Sequence, residues 1–265
     1  MSEGADEARI ATRIEGAVAT ITIANPRRRN AFTFHMLQRI PQVFRALDED
    51  RAVRVIVIEG DGDIAFASGD DISEFALLRS TAADEAKFMA TAVAAFDAPI
   101  ACGKPVVAAI EGFCFGGAMQ LAAGCDIRIC GEGARFSVPA VKLAVGYPLE
   151  GVARFVGLMG ASQAARLFMA GRMFDCGEML AAGFVTEKVP AGTAKAAAHA
   201  YAQELAQRAP LTLHALKRSI AACASHDPDQ LARASESIAQ CARSADFIEG
   251  RRAFLDKRAP VFTGT

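Results

Sequence analysis

Two short apolar runs, VRVIVI at 53–58 and PVVAAI at 105–110, restrict the folds open to this chain more than any other feature. A strand with one wet face alternates apolar and polar residues. A run without that alternation must be covered on both faces, as in a parallel sheet packed between helices. Helical patterning from about Asp84 to Phe96 separates the two runs, and strand–helix–strand at this spacing predicts right-handed crossovers and an α/β core. Val18–Ile23 reads as a further strand closed by a turn at Asn25-Pro26, and Asp126–Cys130 as another. Helices are expected over Phe34–Leu47, where Pro41 kinks or divides the element, and over Val152–Leu158 and Ser162–Met169. From Ala194 to Lys257 the patterning is helical throughout, broken at Pro210 and Pro228. The expected organisation is a disordered N-terminus at 1–8, a core at 9–193 and a helical region at 194–265, packed on the core or on a neighbouring subunit.

Composition removes several function classes. With 29 basic and 30 acidic residues there is no global field to recruit nucleic acid, so the Arg27-Arg28-Arg29 cluster acts locally if at all. The seven cysteines show neither CxxC pairs nor the histidine spacing of a zinc site, and are read as small core hydrophobes. The opening MSEGADEAR has no basic or apolar signal region, and no apolar run is long enough to span a membrane. A cytoplasmic protein without a membrane partner is expected.

The chemistry concentrates at 110–125, IEGFCFGGAMQLAAGC. A buried strand ends at Ile110, Gly116 and Gly117 permit close backbone approach, and Ala118–Ala123 has strong helix propensity. Unpaired N–H groups at such a helix start attract negative charge, and the missing Cβ of Gly117 lets a ligand oxygen reach the amide. The alternative is a glycine pair that serves only helix packing. A second loop, Phe66 to Ile72, offers another free N–H at Asp70. Two such donors side by side form an oxyanion hole, each worth about 3 kcal/mol to an oxygen that gains charge in a transition state. Turn formation and helix capping are the competing roles for Asp70 and Asp71, and for Asp71 capping is preferred.

Four segments in order, AFASGDDISEF, KPVVAAIEGFCFGGAMQLAAGCDIRI, ARFSVPAVKLAVGYPLEGVARF and EGRRAFLDKRAPVF, resemble the crotonase (enoyl-CoA hydratase/isomerase) superfamily from about Ile14 to Phe262. The resemblance implies a spiral of ββα units, a helical C-terminal region used in trimerisation, and a homotrimer or dimer of trimers. It implies an acyl-CoA substrate whose thioester oxygen sits between the amides of Asp70 and Gly117, with coenzyme A as part of that substrate and no separate cofactor. Coenzyme A is expected along Asn25 to Ala31, where Arg27 or Arg28 meets phosphate. Ser68, Gly69, Ile72, Gly116, Gln120 and Ala140 complete the expected contacts. Phe254 and Lys257 match positions that approach the coenzyme of a neighbouring subunit. A solvated surface role is the alternative for the basic residues.

The chain also departs from that pattern. Hydratases of the superfamily use two glutamates as acid and base, and the matching positions here are Gln120 and Ala140, neither of which exchanges a proton near neutral pH. Two substitutes stand nearby. Glu150 is read either as a general acid/base or as an electrostatic cap of the helix that follows. Tyr147 is read either as a donor to a substrate oxygen or as a core aromatic. A hydratase/isomerase-like lyase is therefore the first expectation. Decarboxylation of a malonyl-type thioester is the second, since similar decarboxylases carry a tyrosine at this position and need no base to make the enolate. A non-catalytic acyl-CoA-binding or assembly protein is the third. His35, His199, His214 and His226 fall away from these loops, and neither Ser68 nor Cys114 has an activating base in view, so covalent catalysis ranks last.

Overall fold

A computed structural model describes residues 7–265, so the expectation for 1–8 lies almost wholly outside the described residues. Helices α1 to α11 span Phe34–Glu49, Phe75–Leu78, Ala82–Ala101, Gly117–Gly124, Ala140–Leu143, Leu149–Ala170, Cys176–Ala181, Ala194–Ala206, Pro210–Ser225, Pro228–Ala242 and Ala245–Leu255. Strands β1 to β10 span Arg9–Glu15, Val18–Ala24, Val55–Gly60, Ala65–Ala67, Val106–Ile110, Phe113–Phe115, Ile127–Gly131, Arg135–Ser137, Phe174–Asp175 and Glu187–Val189. The strands form a six-stranded sheet of order β1-β2-β3-β5-β7-β10 and a four-stranded sheet of order β4-β6-β8-β9. From β2 to β10 the larger sheet is parallel, and β1 closes its edge antiparallel to β2. Each of β3, β5 and β7 is followed at once by a short partner in the smaller sheet, then by helix, so the chain winds as a spiral of ββα turns.

The apolar runs are buried on both faces because the sheet has a layer on each. Ile56 and Ile58 point into the main core with α1 and α3, while Val55, Val57, Val107 and Ala109 meet Ala198 and Ala202 of α8 on the other side. By packing, then, α8 belongs to the α/β core, although its sequence reads as the start of the helical region. The α8 start is also pinned chemically. The buried carboxylate of Glu111 accepts the Ala194 N–H at 2.8 Å and lies over Gly131, where a Cβ would come within 2.3 Å of its Oε2.

Several local expectations change. Pro41 does not divide α1, which runs unbroken through it with Ile40 and Val43 anchored in the core. Gly160, at φ 75°, does break Leu149–Ala170 into two helical segments near the expected boundary. Pro210 and Pro228 stand at the first position of α9 and α10, where a missing N–H leaves no bond unmade. The strand RIATRIE was not expected, since an edge strand with solvated Arg13 and Glu15 lacks a continuous apolar face. Five cysteines are buried, but Cys223 is exposed and Cys241 only partly covered, so the core reading fails for those two. Among the described residues no helix is long and apolar enough to cross a membrane.

Turns of the spiral touch backbone to backbone. Gly112, between β5 and β6, has φ 58°, and a Cβ there would sit 1.9 Å from the Ile64 carbonyl oxygen. Gly112→Ala combines a left-handed conformation with backbone overlap and is expected to cost at least about 3 kcal/mol, read from the urea midpoint at unchanged m-value.

Candidate active site

Two loops at the ends of the short strands build the site. Ser68, Gly69 and Asp70 follow β4, and Gly116 and Gly117 follow β6, so the pairing of β4 with β6 places the loops side by side. Glycine makes the approach possible. Gly69 has φ 94°, and a Cβ on it would lie 2.9 Å from the Phe115 oxygen and 3.6 Å from the Gly117 nitrogen. Gly116 adopts φ 52°, ψ −118° as the residue before α4 and gives its carbonyl to Met119 and Gln120. Gly117 opens the helix with its N–H unpaired. A Cβ there would meet the Phe96 ring at 2.6 Å and the Asp70 Oδ1 at 2.9 Å.

The neighbouring loop aligns Asp70. The Phe32 N–H donates to the Gly69 carbonyl and the Asp71 N–H to the Phe32 carbonyl, each at 2.8 Å. Since successive peptide groups alternate along extended backbone, the Asp70 N–H points away from Phe32 and finds no protein acceptor. Asn30 holds the loop in place, with its side-chain amide donating to the Asp61 and Ala65 carbonyls. Two free N–H groups thus lie at the mouth of one cavity of about 400 Å³, which both residues line. One wall is a face of α3, Phe88, Ala92 and Phe96, whose Phe96 ring stands against Gly117, with Phe75 also lining the cavity.

The side chains divide sharply. Arg28 bonds the Asp71 carboxylate at 2.8 Å and Ser73 at 2.6 Å, and Asp71 also accepts the Ser73 N–H, so Asp71 has the capping role expected of it. Asp70 has no such partner. Its Oδ1 is shielded from solvent with no hydrogen bond, and burial raises its carboxyl from 3.8 to about 6 against the pull of the Arg79 guanidinium. Arg79 is itself ion-paired to Glu85 and stacked on Phe75 and Phe88. Tyr147 packs edge-on against Phe168, its hydroxyl 3.4 Å from the Gly116 oxygen and partnered with Gln120, and burial pushes its phenol well above the ordinary range.

Of the residues singled out in the sequence, Arg28, Ala31, Ser68, Gly69, Asp70, Ile72, Gly116, Gly117, Gln120, Ala140 and Tyr147 line this cavity. Glu150 does not. It is exposed in the first turn of α6 and borders a different groove with Arg154 and Arg233, so the acid/base reading gives way to that of a charge at a helix start. Arg27 is exposed on the loop before Arg28. Phe254 and Lys257 lie at the C-terminal helix, where Phe254 joins Phe247 and Phe262 around another surface groove. The histidines stay outside the cavity, the Ser68 hydroxyl is held by the Arg28 carbonyl, and burial pushes the Cys114 thiol far up. The Asp70 side chain, Arg79 and the α3 wall were missed. The i, i+4, i+8 spacing of Phe88, Ala92 and Phe96 signalled one apolar face, but not what it faces.

Asp70 carries a stability signature. Its carboxyl titrates higher in the folded chain than in the unfolded one, so folding is penalised above both values, and the penalty fades as pH falls toward 4. Asp70→Asn is expected to stabilise the protein by up to about 3 kcal/mol at pH 8 and by much less at pH 4.5, measured by urea unfolding at each pH.

Comparisons with known proteins bear on the family and the fold. Residues 13–265 match the family model described as enoyl-CoA hydratase/isomerase. A short-chain-enoyl-CoA hydratase of Clostridium acetobutylicum is 30% identical over 245 residues, 92% of this chain and 93% of the relative. A carnitinyl-CoA dehydratase of Citrobacter koseri is 31% identical over 94% of this chain and 96% of its own. Among solved structures, an enoyl-CoA hydratase/isomerase family protein from Hyphomonas neptunium superposes with TM-score 0.92 at 35% identity, covering 97% of this chain and 98% of that one. Spiral, glycine loops and full-length similarity coincide, and the chain belongs to the enoyl-CoA hydratase/isomerase family of the crotonase superfamily.

Proposed function

We propose that this protein is an acyl-CoA enzyme that holds a thioester oxygen between the Asp70 and Gly117 amides and so stabilises an enolate, in chemistry of the hydratase/isomerase type. The single observation that carries this reading is the pair of adjacent, unpaired N–H groups at one cavity with an apolar α3 wall. Preformed donors need no reorganisation as charge reaches the oxygen, which is what an enolate intermediate requires. The apolar wall on α3 receives the acyl chain. In the same reading Arg28, with Arg27 beside it, meets coenzyme A phosphate near Ala31. Phe254 and Lys257 reach the coenzyme of a neighbouring copy in a homotrimer or dimer of trimers in the cytoplasm. The coenzyme enters with the substrate, and no further cofactor takes part.

A decarboxylase reading draws on Tyr147 and Gln120, whose paired polar ends sit beside Gly116. Against it, an ionised Asp70 at the hole repels a substrate carboxylate.

Purified protein is to be assayed with crotonyl-CoA, a β,γ-enoyl-CoA and methylmalonyl-CoA. Turnover of an enoyl thioester is expected, and carbon dioxide release from methylmalonyl-CoA as the sole activity would select decarboxylation. Gly117→Pro deletes one N–H and is expected to lower turnover by about 100-fold or more while a thermal melt still shows a folded protein. Full activity in that variant would remove the hole assignment. Glu150→Gln, outside the cavity, is expected to stay within about twofold of wild type.

A further inference from the structure

Among the described residues, the cavity that holds the two amides is lined by two carboxylates, Asp70 and Asp71. Asp71 is committed, bonded to Arg28 and to the start of the helical turn after it. Gln120 and Ala140 bring no titratable group to the cavity, and Glu150 stands outside it. Among the described residues, Asp70 alone has a carboxyl oxygen that is shielded from solvent and lacks any protein partner, and that oxygen lies beside Gly117 with the Phe96 ring.

Resting on the enolate reading above, we infer that the Asp70 side chain is the proton carrier of the reaction, and that with one carboxyl the enzyme moves a double bond rather than adding water. The residue then acts twice, its N–H on the thioester oxygen and its carboxylate on carbon. The carboxylate takes a proton from C2 of a β,γ-enoyl thioester. The C2–H electron pair forms the C1–C2 double bond of a dienolate, whose oxygen charge the amides hold. The resulting carboxylic acid returns its proton to C4, the C3–C4 double bond moves to C2–C3, and the carbonyl re-forms. One proton leaves and one arrives, and no water or cofactor is consumed. Hydration would need one group to activate water and another to protonate C2, and the second group is absent.

Electrostatics suits a single carrier. Arg79, from the end of α2, faces the Asp70 carboxylate, with its own charge shared with Glu85. Tyr147 faces it as a neutral phenol, Asp71 beside it is neutralised by Arg28, and the facing residues of α3 and α4 in the cavity, Phe96, Gly117 and Gln120, are uncharged. When the proton moves, the negative charge passes from Asp70 to the substrate oxygen, so two anions never share the pocket. A carboxyl raised to about 6 by burial is also a better base at neutral pH than one at 3.8.

The test uses the intact protein with trans-3-hexenoyl-CoA, following formation of the 2-enoyl thioester, and with crotonyl-CoA, following hydration. Isomerisation is expected to exceed hydration. Asp70→Asn, which keeps the backbone N–H, is expected to lose about 100-fold or more in kcat while binding of unreactive hexanoyl-CoA stays within about threefold of wild type. Wild-type kcat/KM should rise with pH through about 6 and then level, because the free enzyme must be ionised to act. A wild-type profile flat between about pH 5 and 7.5 would overturn the assignment without recourse to any variant. So would hydration faster than isomerisation, or an Asn variant that keeps more than about a tenth of wild-type turnover. If Asp70→Asn stays active while Gly117→Pro is dead, the proton carrier falls and the enolate reading stands. Activity retained in Gly117→Pro, or a wild type that turns over neither thioester, removes both.

Discussion

Backbone contact between successive turns of the spiral is the constraint on which everything else rests. Gly60 and Gly112 occupy points where a Cβ would overlap the carbonyls of Ala65 and Ile64, and Gly69 one where it would press on Phe115. Three hydrogens in place of methyl groups let the smaller sheet fold down on the ends of the larger one. That closeness brings the loops after β4 and β6 together. The site is a consequence of packing geometry before it is a matter of side-chain chemistry.

Such an arrangement leaves the amides free by construction. Asp70 sits in a bridge that uses the peptide groups on either side of it, and Gly117 is the first residue of a helix, where N–H groups have no partner within the helix. Neither donor depends on a side chain. The superfamily resemblance could therefore point to these two amides whatever side chains stand at Gln120 and Ala140.

The side-chain chemistry of the cavity turns on one unpartnered carboxyl. Phe96 fills the space where Gly117 has no Cβ, Tyr147 and Gln120 line the same cavity, and the Asp70 Oδ1 is shielded from solvent with no protein donor. A buried carboxyl without a hydrogen bond is costly to stability, and such costs gather at sites that do chemistry. Here the cost and the proposed function lie in the same carboxyl group, with the shielded Oδ1 bearing the cost.

Much of the architecture was legible in the sequence because it depends on local pattern. Nearly unbroken apolar runs announced strands buried on both faces, prolines at 210 and 228 marked breaks in the helical patterning, and the glycine pair marked a tight strand-to-helix junction. What local pattern could not show is which side chains share a cavity. Glu150 lies close in sequence to Tyr147 yet turns away, because α6 begins there and its first turn points to solvent. Asp70 and Asp71 are adjacent and chemically identical, yet Asp71 caps the next turn through Ser73 and is salt-bridged from 43 residues away while its neighbour stays bare. The sequence by itself thus determined four strands of the larger sheet, most of the longer helices and the two backbone positions that meet at the cavity. Only the tertiary structure decided which carboxyl stands ready to carry a proton, since desolvation and the lack of a partner depend on residues from distant segments arriving around it.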